Sequence, residues 1–148
     1  MLRGLRVVVS GVALAVITLA GAGVAAAQEA PKAPVMALDG DSAVVTILIK
    51  GDKTADFEAV VAKYKEALGK SDNPKRKEQL AGMTFFKSPT AVQGNAMYII
   101  YVNPVVKGEE YDITRVVTEV FPVEVQEIYA KYKDSFAGRQ IIGLVKLP

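Results

Sequence analysis

Apolar side chains run along both sides of residues 96–106, Ala-Met-Tyr-Ile-Ile-Tyr-Val-Asn-Pro-Val-Val. In an extended chain Met97, Ile99 and Tyr101 point one way, and Tyr98, Ile100 and Val102 the other. A strand apolar on both sides needs cover on both, so this stretch reads as a central strand. Residues 43–50 repeat the pattern, with Val45, Ile47 and Ile49 on one side and Val44, Thr46 and Leu48 on the other. Gly51-Asp52-Lys53 interrupts it. Phe57, Val60, Val61, Tyr64 and Leu68 then recur at helical spacing, capped by Asp52 or Thr54 and closed by Gly69.

Asn73-Pro74 is an N-cap followed by a proline at the first helical position, which predicts a short helix to about Ala81. Residues 83–88 read as a second strand, with Phe85 and Phe86 on opposite faces; Gly94-Asn95 marks the turn into the central strand. Asp112 can cap a helix carrying Ile113, Val116, Val117 and Val120. Pro122 breaks it, and a second piece carries Val125, Ile128, Tyr129, Tyr132 and Phe136 up to Gly138. Residues 140–147 form the last strand. The order is strand, helix, strand, strand, helix, strand. That predicts an α+β, ferredoxin-like βαββαβ domain over residues 43–148, a four-stranded antiparallel sheet with its helices on one face. Ala-Lys-Tyr-Lys occurs twice, at 62–65 and at 130–133, late in a helix each time, as a faint echo between two halves.

Helices on one face leave the other open, and here it is apolar on at least three strands. Such a patch exceeds what monomers usually expose, and a second copy laid sheet against sheet is the simplest cover. Element order, two-faced strands and the broken second helix resemble the dimeric α+β barrels. That group includes antibiotic-biosynthesis monooxygenase-like, chlorite-dismutase-like and stress-responsive barrel proteins. The resemblance implies a homodimer through the open sheet face and often a small pocket between helices and sheet. It does not fix an activity, because the architecture hosts many.

The first residues stand apart from this pattern. Arg3 and Arg6 precede an apolar run to Gly23, and Ala25-Ala26-Ala27 supplies a small-residue cleavage site. Residues 1–27 therefore read as a secretory signal peptide, and the protein as exported, periplasmic or secreted. Residues 7–27 are also long enough to span a bilayer, so a retained anchor is the rival reading. Cleavage leaves no membrane segment. Residues 28–42, opening with Glu-Ala-Pro-Lys-Ala-Pro after Gln28, read as a flexible leader.

Removing Arg3 and Arg6 takes Lys plus Arg from 18 to 16, against 16 Asp plus Glu. A neutral domain lacks the electrostatic footprint of a nucleic-acid binder. The one basic cluster, Lys75-Arg76-Lys77, is followed by Glu78 and reads as a solvated helix face.

The chain has no His and no Cys. That removes imidazole bases, Cys nucleophiles, disulfides, the usual zinc and copper ligands and the common axial ligands of haem. No phosphate-binding glycine loop occurs, so no metal and no cofactor is expected. Asp39-Gly40-Asp41 reads as a turn, and Glu109-Glu110 as a solvated acidic pair. The remaining candidates are polar-tipped residues on apolar elements: Tyr98, Tyr101, Asn103 and Arg115. They could orient a small apolar or anionic ligand. Arg115 could instead pair with Glu119 one helical turn on. A non-catalytic homodimer, structural or binding a small molecule, is the expected role. A cofactor-free monooxygenase-like or isomerase-like enzyme, allowed by the barrel resemblance, is the alternative.

Overall fold

The computed structural model describes residues 32–148. The expected signal peptide and the first leader residues lie outside them. Strand β1 (Ser42–Lys50) is followed by a short 3-10 turn (Gly51–Lys53) and helix α1 (Thr54–Lys70). Helix α2 (Pro74–Gly82) leads into β2 (Met83–Lys87) and β3 (Asn95–Val102). Helices α3 (Ile113–Val120) and α4 (Val125–Ser135) precede β4 (Phe136–Leu144). All strand pairs are antiparallel, in the order β2-β3-β1-β4. The fold is α+β and compatible with the ferredoxin-like architecture. No helix among the described residues is long and apolar enough to cross a membrane.

The local signals explain most boundaries. The Asn73 side chain accepts from the Lys75 N–H at 3.0 Å, with Pro74 opening α2. Asp112 accepts from the Arg115 N–H at 3.0 Å and starts α3. Both are N-caps that satisfy otherwise orphaned helix donors. The expected cap of α1 is not used; the 3-10 turn leads in, and Lys53 occupies the cap position without a side-chain bond. The break at Pro122 falls between α3 and α4, with the second piece starting at Val125 rather than at the proline. Phe136, expected on the α4 stripe, opens β4 instead, so the last strand begins four residues early.

Pairing registers define two sheet faces. Val45, Ile100 and Ile141 share one row, and Ile47, Tyr98 and Arg139 the next. Phe57 and Val61 of α1, Tyr132 of α4, and Leu38 and Tyr111 pack on this face. Val60, Tyr64, Ala67 and Leu68 of α1 continue the core against Ile113, Val116, Val117 and Ile128. Tyr64 and Tyr132, the tyrosines of the two tetrapeptides, both turn into it. The Tyr64 hydroxyl donates to the Tyr111 carbonyl at 3.1 Å, and burial pushes its pKa up.

The opposite face carries Val44, Thr46, Leu48, Thr84, Phe86, Met97, Ile99, Tyr101, Gln140, Ile142 and Leu144. Of its strand positions only Lys50, at the rim, is charged, and its ammonium reaches the Asp134 carbonyl at 2.8 Å. Phe86 is 52% exposed and Ile142 43%.

Four readings need correction. Residues 35–41, expected to belong to a flexible leader, are pinned. The Glu110 carboxylate accepts from the N–H groups of Val35 (2.6 Å), Met36 (2.9 Å) and Asp112 (2.9 Å), and Leu38 is buried. Glu109 and Glu110 are therefore not a free acidic pair. Burial pushes the Glu110 carboxyl up, but the donated N–H bonds outweigh it and hold the group below its ordinary value. Arg76, expected on a solvated face, is only 4% exposed. It forks onto Glu119 (2.6 and 2.8 Å) and reaches Glu109 (3.2 Å), Gln79 (2.8 Å) and the Glu110 carbonyl (3.1 Å). Glu119 thus pairs with Arg76, not with Arg115.

The Asp39-Gly40-Asp41 segment is a turn. Gly40 has φ +89°, and a Cβ there would stand 2.6 Å from the Leu144 carbonyl oxygen, so only glycine fits.

Candidate functional site

The centre of the space between helices and sheet is filled. Only about 10 Å³ remains between Val45, Ile47, Ile100 and Tyr111, about the least that admits one water. Two concavities lie at the edges of the helix layer.

One is a cleft of about 200 Å³ where α1 meets β2 and β3, walled by Phe57, Val61, Phe85 and Ile100. Its polar end is a linked trio. Tyr98 donates to Glu58 at 2.8 Å, and Lys87 donates to the same oxygen at 2.7 Å. The Lys87 bond, then the Tyr98 bond, hold the Glu58 carboxyl below its ordinary value. Lys87 and Glu58 neutralise one another, so the trio carries no excess charge for a ligand.

The larger cleft, about 440 Å³, lies between the first turn of α3, the second half of α4 and the start of β4. Its cations are Arg115, Lys133 and Arg139; its rings are Tyr129, Tyr132 and Phe136. Helical spacing places Tyr129, Tyr132 and Lys133 on one side of α4. The β1–β4 register sets Arg139 opposite Ile47 and so turns it toward the helices. The Tyr132 ring stands edge-on to Phe136 with centroids 5.7 Å apart and stacks on Phe57 at 6.2 Å. Burial pushes the Tyr132 hydroxyl up, while the nearby Arg139 guanidinium works in the other direction. The one carboxylate in the wall, Asp112, is occupied as the α3 cap. Among the described residues no carboxylate pairs with Arg115, Lys133 or Arg139.

The four residues singled out in the sequence do not form one site. Tyr98 lies in the smaller cleft, on the helix side of the sheet. Tyr101 is on the opposite face, paired across to Val44 and Thr84. Asn103 is exposed at the end of β3, where its N–H donates to the Gly82 carbonyl at 2.8 Å. Arg115 alone lines the cationic cleft. Lys133 and Arg139 were not singled out. The signal for Lys133 was present in its place beside Tyr132, but Arg139 becomes visible only once β4 is registered on β1. No group of three or more potential metal ligands occurs among the described residues.

No family model, curated protein or solved structure matches this chain.

Proposed function

We propose that the protein is an exported, non-catalytic α+β module that works as a homodimer, two copies joined through the open sheet face, in a binding or structural role. The observation that carries this reading is the composition of that face. Phe86, Ile99, Tyr101, Val44 and Ile142 stand in adjacent rows, with charge only at the rim. Leaving such a surface in water forgoes about 25 cal/mol for each Å² that could be covered. A two-fold contact needs only one self-complementary patch. This is also the surface through which the dimeric α+β barrels, including the monooxygenase-like members, are expected to pair.

The non-catalytic part rests on two observations. The chain lacks His and Cys. At its centre the helix–sheet space, where a cofactor-free oxygenase-like or isomerase-like barrel would hold its substrate, keeps only about 10 Å³, and its larger opening of about 200 Å³ lies at the α1–β2–β3 edge.

Native mass spectrometry of the protein after export tests the pairing. The expected mass is that of two chains; a single chain at micromolar concentration refutes it. Tyr101→Asp, placed on the open face, should give a single chain with an unchanged far-UV circular dichroism spectrum. A paired Tyr101→Asp variant would show that the contact lies elsewhere.

A further inference from the structure

We propose that the cleft between α3, α4 and β4 binds a small aromatic carboxylate, its anionic group held by Arg115, Arg139 and Lys133 and its ring laid against Tyr129, Tyr132 and Phe136. The inference rests on the binding side of the function proposed above and not on the pairing of subunits, because the cleft opens on the helix side of the sheet.

Three cations share this cleft with a single carboxylate, and that carboxylate is engaged in capping α3. Most other helix lysines are instead paired with a carboxylate, Lys65 and Lys77 being the exceptions. Lys63 pairs with Glu66 and Glu124, Lys70 with Glu66, Lys131 with Glu127 and Lys75 with Glu78. Unpaired cations are otherwise single, and only here do three line one described concavity. Like charges gathered in a concavity repel one another, and an anion relieves that repulsion. Two guanidinium groups supply forked donors that match a carboxylate.

The ring wall argues for more than an inorganic ion. Tyr129 is 47% exposed and Phe136 36%, so both rings offer apolar surface at the cleft. Tyr132 is clamped between Phe57 and Phe136, so this wall is set before any ligand arrives. A planar ligand gains stacked or edge-on contact there at small ordering cost. The cleft volume of about 440 Å³ falls within the range of small-molecule sites.

The test is isothermal titration of the exported protein with three probes at low salt. They are 2-naphthoate (ring and charge), 2-naphthamide (ring alone) and inorganic phosphate (charge alone). Naphthoate should bind at least tenfold more tightly than either of the others. Arg115→Gln and Arg139→Gln should each weaken naphthoate about tenfold, while Lys77→Gln, on the exposed side of α2, should leave it unchanged. Phosphate binding as well as naphthoate, naphthamide matching naphthoate, affinity indifferent to both arginine variants, or no binding of any probe would each overturn the proposal. Subunit count on the same sample separates the two readings. A single chain that binds naphthoate keeps this inference and sinks the pairing, whereas a dimer that ignores naphthoate does the reverse.

Discussion

Arg76→Ala should destabilise the fold by about 2–5 kcal/mol, the sum of two unequal parts. The larger part is Gln79. Its side chain is fully buried, and its Oε1 accepts from Arg76 at 2.8 Å while its Nε2 donates to the Glu110 carbonyl at 2.9 Å. Deleting Arg76 leaves that oxygen without a donor, a loss of about 1–3 kcal/mol. The smaller part is the ion pairs. The Glu109 and Glu119 side chains keep 26% and 39% of their surface in water, so they rehydrate once released. Each pair is then worth about 0.5–1 kcal/mol, well below the 3–5 expected for a sealed one. A domain of this size loses about 4 °C of Tm per kcal/mol, so the expected fall is about 8–20 °C. Thermal and urea melts followed by circular dichroism read it directly. Arg76→Lys keeps the charge but not the fork and should recover less than half. Lys75→Ala, whose pairing with Glu78 is half in water, should cost under about 0.5 kcal/mol. Arg76→Ala costing no more than Lys75→Ala would refute this reasoning.

Two further outcomes follow from the packing. Glu110 has its folded pKa depressed by accepted N–H bonds, so its contribution is present above the unfolded value of about 4.5 and lost as pH falls through the lower folded one. Glu110→Gln should therefore flatten the fall in urea midpoint between about pH 5 and pH 3; parallel curves for the two proteins would count against the clamp. Gly82→Ala places a Cβ 2.9 Å from the Pro104 carbonyl oxygen and should cost about 1–3 kcal/mol in urea unfolding. Gly69→Ala, whose nearest neighbour is a Leu80 methyl at 3.6 Å, should be neutral or stabilising; equal losses at both sites would refute the crowding argument.

What could be read from the chain was the part written in short-range chemistry. Asn73-Pro74 and Asp112 start helices because caps act within three residues, and Pro122 separates α3 from α4 because a missing N–H acts where it stands. Strand faces were legible from alternation alone. The misreadings share a cause in distance. Arg76 sits among basic neighbours, and its acids lie 33 and 43 positions downstream. Glu110 looked solvated because its N-terminal partners, Val35 and Met36, lie about 75 residues upstream. Of the site, Arg115 was visible as a cation on an apolar helix. Its companion Arg139 was hidden by the misplaced start of β4, since Phe136 fits a helical stripe as well as it fits a strand.

The Glu110 clamp links two places that look unrelated along the chain. One carboxylate fixes both the entry segment at Val35–Met36 and the residue that caps α3, and Arg115 sits three positions beyond that cap. Trimming the front end past Met36 would free the carboxylate to swing and loosen the wall carrying Arg115. A chain shortened only to Lys32 would keep this brace, whereas one shortened past Met36 would lose a support of a cleft wall some eighty residues away.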